Sequence, residues 1–338
     1  MKHVNISDPW YEETIRMLKL RFASGGYDRM EAIQREIIKP DGIELVFNEI
    51  NAPRRIFDGL LGDGIFDVSE LSSSEFITRS LRGNFPFVGI PVFPSRAFRH
   101  GFIFVNDRAG IKTPKDLEGK LIGVPQHSQT AAVWIRGHLQ DEYDVDLPTM
   151  RWLEGSVEMA GEHAKIETTS PMVPIQLEAN ETGNSMSDLL ASGGIDAILG
   201  SRRPESLSQH ADVVRLFPNY RELERDFYQR TKIHPIMHVI AIRQEIYDKD
   251  PWIAASLYQA FDAAKNWALD RLRISAAQHS MLPFMFADMD EVDELFDGDP
   301  WPYGIEPNRP TLEALVRHLQ EQNFITDTPP IEDLFVPV

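Results

Sequence analysis

Cysteine is absent from the 338-residue chain, which excludes disulfides and thiolate nucleophiles and leaves histidine, carboxylates and water as the available metal ligands. No stretch approaches the roughly 20 uninterrupted apolar residues of a membrane-spanning helix. The opening MKHVNISDPWYEETIRMLKL breaks every apolar group with charged or polar residues, so it offers no secretory h-region. A soluble, cytoplasmic protein with no membrane partner is the expectation. Net positive charge is missing too. Lys and Arg number 34 against 52 Asp and Glu, a formal charge of −18, and no basic run offsets this locally, which disfavours nucleic acid. A few arginines inside a cleft still create a field opposite to the global one, so a small anionic ligand fits. HExxH, P-loop, GxSxG and GxGxxG patterns are also lacking, which removes the usual marks of zincins, P-loop hydrolases, elbow esterases and dinucleotide-binding folds.

What is present is enough chain, 42% of it hydrophobic, to bury substantial cores, and a length that suits two lobes better than one. Residues 17–22 read as a strand, 23–26 as a glycine-containing loop and 30–38 as a helix. A strand at 43–50, a helix at 53–61 and a strand at 65–71 ending in Ser72, Ser73 and Ser74 follow. Such alternation predicts an α/β sheet. A second sheet is predicted from the strands at 120–124 and 195–199 around the helix at 130–139, and 234–242 is a further apolar strand. Apolar residues at helical spacing mark helices at 252–272 and around 312–319. The intervening DGDPWPYGIEPNRP, 297–310, is punctuated by Gly and Pro and reads mostly as loop, either a lid over a cleft or an inert connector. No internal repeat or low-complexity tract appears.

The run KTPKDLEGKLIGVPQHSQTAAVWIRGHL, 112–139, resembles the strand-to-helix unit of type II periplasmic-binding-protein folds. The segments PFVGIPVFPSRAFRHGFIFVN at 86–106, GVPQHSQTAAVWIRGHLQDEY at 123–143 and IHPIMHVIAIR at 233–243 are similar to the 4,5-dihydroxyphthalate decarboxylase family. The resemblance implies a two-lobed α/β fold with a central cleft and two crossover strands, near 93–105 and 233–242. One lobe would comprise 1–98 with 236–338, the other 99–235. It also implies a carboxy-lyase that converts 4,5-dihydroxyphthalate, or a close hydroxylated aromatic carboxylate, to protocatechuate and carbon dioxide. Two other readings stay open: a non-catalytic cytoplasmic solute-binding or sensing protein for an aromatic carboxylate, and an enzyme of the same superfamily acting on another aromatic acid.

Replacing a ring carboxylate by hydrogen requires a proton donor, a carboxylate binder and fixed charge to stabilise the dearomatised intermediate. Guanidinium forks suit paired carboxylates, which makes Arg96, Arg99, Arg202 and Arg203 the leading clamps. Arg29 is a further candidate that could instead pair with an acidic neighbour. Ser128, Gln129 and Thr130, after His127 at a predicted helix start, could hold a carboxylate or phenolate, or cap the helix. Ser73 belongs to the polar end of the third strand. His234 and His238 have a metal-ligand spacing on a helix, but Pro235 and the following apolar run favour a strand, where residues 234, 236 and 238 share a face. Histidine suits reversible proton transfer near neutral pH, so His100 or His238 is the expected proton donor and Glu70 an auxiliary acid/base. No cofactor is required by this chemistry. A divalent metal held by His100, His234 or His238 would offer another electron sink, and a homo-oligomer is compatible with the sequence.

Overall fold

The computed structural model describes residues 17–83, 85–159 and 168–338, so the opening segment read above lies outside the described residues up to position 16. Among the described residues, eleven strands form two sheets. The first has the order β2-β1-β3-β11-β4, from β1 (Leu18–Ser24), β2 (Ile43–Glu49), β3 (Val68–Ser72), β4 (Phe87–Arg96) and β11 (Ile236–Arg243). The second has the order β10-β5-β9-β6-β7-β8, from β5 (Ile103–Asn106), β6 (Leu121–Val124), β7 (Arg151–Glu154), β8 (Leu177–Ala179), β9 (Ala197–Leu199) and β10 (Val213–Arg215). The chain therefore passes between sheets after β4 and again before β11.

The centre of the first sheet is covered on both faces, which explains why β3 is buried along its whole length, its polar members included. Helices α1 (Asp28–Gln34), α2 (Pro53–Leu61) and α3 (Ser73–Arg82) follow β1, β2 and β3 in turn. The helix expected over 30–38 stops early because Glu36 takes a left-handed backbone, φ 54°. The strand expected from residue 65 begins at Val68, Ile65 being exposed.

Helix α4 (Thr130–Tyr143) joins the two halves. Ala131, Val133 and Trp134 belong to the core of the first sheet, whereas Ala132, Ile135 and Leu139 belong to that of the second. Its amphipathic reading gives way to a helix apolar on both sides, because both cores need a cover. The indole of Trp134 donates to the carbonyl of Ile236 at 2.9 Å, pinning α4 to the start of β11.

The segment 297–310 is a buttress. Trp301 Nε1 donates to Phe93 O at 2.8 Å and Gly304 N to Pro91 O at 2.8 Å, so it lies against β4, and a helix begins at Arg309.

Candidate active site

In the antiparallel pairing of β3 with β11, Glu70 faces Ile240 and Ser72 faces His238. Glu70 and His238 are thus diagonal neighbours on one face, a separation that two long side chains close. Glu70 Oε2 lies 2.7 Å from His238 Nδ1. The carboxylate, 0% exposed, is supplied with donors by the end of β1 and the loop after it. Gly25 N donates to Oε1 at 2.7 Å, Tyr27 OH to Oε2 at 3.0 Å, and Ser24 Oγ approaches Oε1 at 3.4 Å.

Burial alone would raise the Glu70 carboxyl, but the His238 charge and hydrogen bond, the Gly25 amide and the Tyr27 hydroxyl together hold it below the usual carboxylate range. An ionised Glu70 makes His238 Nδ1 the protonated nitrogen and leaves Nε2 for chemistry. Among the described residues Nε2 has no hydrogen-bond partner and is not sealed from solvent. The edge-on contact with Phe57, ring centroids 5.2 Å apart at 90°, fixes the imidazole plane.

Arg29 stands over the phenol that donates to this carboxylate. Its guanidinium lies 4.1 Å from the Tyr27 ring centroid and 4.3 Å from that of Trp301, with Nε donating to Pro94 O at 2.5 Å. It does pair with Asp28, at 3.1 Å, yet the two aromatic faces set its position.

The other predicted arginines are placed differently. Arg96 is buried and donates to Pro302 O at 2.7 Å, to His234 O at 3.2 Å and to Asn308 Oδ1, while burial pulls it down to about 9. It clasps β4 to the buttress instead of facing a ligand. Replacing Arg96 with methionine is therefore expected to lower thermal stability, by roughly 1–3 kcal/mol for each acceptor left without its donor, with KM little changed. Calorimetry and steady-state kinetics on the same preparation check this. Arg99 directs Nε at Met237 Sδ, 3.3 Å away, and lies over Phe102, with burial bringing it down to about 10. Arg202 and Arg203 are exposed beyond β9.

Of the two histidines expected to donate a proton, His100 is packed against His138, Phe217 and Phe227. Burial takes it down to about 4, and the cavity beside it holds about 10 Å³, room for at most one water. His234 precedes β11 instead of lying on it with His238. Its Nδ1 is 3.0 Å from Pro300 O and its ring stacks on Phe98, and the pairing of β11 with β4 shifts register between Ile236 and His238. The His127 ring is wedged between Trp152 and Phe324.

The hydroxyls expected to bind ligand or cap their own helix link α3 to α4. Ser128 Oγ donates to Glu75 Oε1 at 2.7 Å, and Thr130 Oγ1 accepts from Ser74 N at 3.1 Å while lying 2.8 Å from Ser72 Oγ. Thr130 thereby satisfies an amide at the start of a helix other than its own. Gln129 Nε2 donates to Ser201 Oγ at 3.0 Å, leaving Oε1 unpartnered, and Ser73, 3% exposed, has an unpartnered hydroxyl.

As for a metal, Asp141, His318 and Glu321 bring three donor atoms within 4.8 Å, but Arg317 already binds both carboxylates. This set contains none of His100, His234 and His238.

Tyr27 escaped the sequence reading. The signal was the Gly25-Gly26 pair at the end of a strand, since a Cβ on Gly25 would come within 2.8 Å of the Tyr27 ring.

No family model matches the chain. A 4,5-dihydroxyphthalate decarboxylase of Comamonas testosteroni is 35% identical over 302 residues, covering 88% of this chain and 90% of that protein. One of Pseudomonas putida is 34% identical over 213 residues, covering 63% and 82%. Among solved structures, the periplasmic aliphatic sulphonate binding protein SsuA of Escherichia coli superposes with a TM-score of 0.52 at 12% identity, covering 94% of this chain and 97% of its own. A protein of Archaeoglobus fulgidus gives 0.50 at 13%, covering 91% and 98%. At those identities the structures show the two-lobed periplasmic-binding-protein fold alone.

Proposed function

The chain belongs to the 4,5-dihydroxyphthalate decarboxylase family and is a carboxy-lyase, and from that premise we propose that it converts 4,5-dihydroxyphthalate to protocatechuate and carbon dioxide, with His238 as proton donor. The observation that carries this reading is the Glu70–His238 contact of 2.7 Å, with Nε2 left open. His238 Nε2–H delivers its proton to the ring carbon bearing the departing carboxylate, assisted by electron donation from the hydroxyl para to it. The carbon–carbon bond then breaks, its electron pair restores aromaticity, and carbon dioxide leaves. Overall one proton replaces one carboxylate.

Glu70 keeps Nδ1 protonated throughout and stabilises the imidazolium before transfer. Arg29 supplies a fixed cation at the Tyr27 ring for the carboxylate that stays, and Arg202 and Arg203 offer the same charge from the second sheet. Proton delivery by His238 asks nothing of a metal, although the catechol oxygens could chelate one.

The test is product formation from 4,5-dihydroxyphthalate by purified protein, with and without a chelator. Turnover that survives chelation is expected. Turnover lost with the metal would move the electron sink from fixed protein charge to a cation, and binding without turnover would overturn the substrate assignment.

A further inference from the structure

We infer that Tyr27 is a positioning residue for the proton transfer proposed above: by donating to the same Glu70 oxygen that holds His238, it governs how firmly the carboxylate grips the imidazole. The inference rests on that reading and adds a member to it.

The Glu70 carboxylate has about four lone-pair sites, and four donors face them: His238 Nδ1 and Tyr27 OH on Oε2, Gly25 N and Ser24 Oγ on Oε1. Each donor draws charge from the carboxylate, so the share left for His238 depends on the others. Tyr27 is the one side chain that competes for Oε2 itself.

The phenol is built to stay a donor. Burial first, and then the Glu70 charge, raise it above the ordinary tyrosine value, so it remains protonated beside the carboxylate. Arg29 opposes this from the ring face, and the Ser95 hydroxyl of β4 meets the phenol oxygen. With His238 of β11 and Glu70 of β3, these are the charged and titratable groups around it. Its placement is held from several sides. Gly25 leaves the room that a Cβ would fill, and Arg29 is itself fixed over Trp301 and bonded to Pro94 O.

Removing the hydroxyl returns charge to Oε2, which strengthens the carboxylate's hold on Nδ1–H and makes the imidazolium a weaker acid. The test is Tyr27→Phe in the full chain, read by the pH profile of kcat and by the 15N shifts of His238 across a pH titration. Expected are the alkaline limb of the profile and the His238 titration moving to higher pH, a fall in plateau kcat of about 3–10-fold, and KM within about twofold. Monofluorotyrosine at position 27, a stronger donor in the same shape, should move the titration the other way.

A Tyr27→Phe profile that is the wild-type one scaled by a constant, or a loss confined to KM, would overturn the inference. A His238 titration that moves in protein without turnover would leave the coupling standing and remove the substrate assignment instead. Turnover with an unmoved titration would do the reverse.

Discussion

Replacing His238 with glutamine is expected to lower kcat by about 10²–10⁴-fold, the range for loss of a positioned general acid, while KM changes only a few-fold. The split follows from the role: an acid that acts on the ring carbon contributes in the transition state and little to ground-state binding. Glu70→Gln should fall in the same direction, because the neutral amide cannot stabilise the imidazolium through Nδ1. The double variant should lose much less than the sum of the single free-energy changes, since the two side chains share one function across 2.7 Å. Steady-state kinetics on the three variants decides the matter. Wild-type kcat in His238→Gln would reject the donor assignment.

The second large effect concerns stability in acid. His127, His138, His100 and His318 are buried and His234 is half-buried, and desolvation pulls each imidazole down: His100 and His318 to about 4, His234 to about 3, and His127 and His138 well below the usual value. With folded values below the unfolded value near ~6.5, the unfolded chain binds protons that the folded chain refuses. Stability is therefore fully present above about pH 6.5 and is lost as the pH falls from there towards 4. Glu224 acts in the opposite sense, since burial raises it to about 7 and its contribution is lost as pH rises through that value. One carboxyl set against five imidazoles leaves the direction unchanged. Each surplus proton on the unfolded chain changes stability by ~1.4 kcal/mol per pH unit, so the melting temperature should be nearly flat above pH 7 and drop steeply between pH 6.5 and 4.5. A flat curve across that interval would mean that the imidazoles accept protons in place. His138→Phe should reduce the slope by close to one proton, because His138 is buried with Nε2 unpartnered.

These two sets of histidines are the same residue type in the sequence, and nothing local distinguishes them. His100 follows an arginine in a turn, as a cleft residue could, and it is the packing of His138, Phe217 and Phe227 around it that makes it a core side chain. Arg96 likewise carries the residue type that binds carboxylates, and only the carbonyls of Pro302 and His234 and the amide of Asn308 reveal a structural clasp. Arg29, ranked below it on sequence because of Asp28, is the arginine that stands over Tyr27, the phenol bonded to Glu70.

The sequence by itself determined the α/β class, the two-lobed fold, the family and most element positions, since apolar periodicity, glycine and proline punctuation and three motif stretches are local properties of the chain. It also named Glu70 and His238. Only the tertiary structure decided that these two meet, across 168 residues, because the pairing register of β3 with β11 determines which polar side chains share a face. The same holds for Tyr27: its role comes from a loop folded over a carboxylate on another strand, a contact between segments distant in the chain that no local pattern encodes.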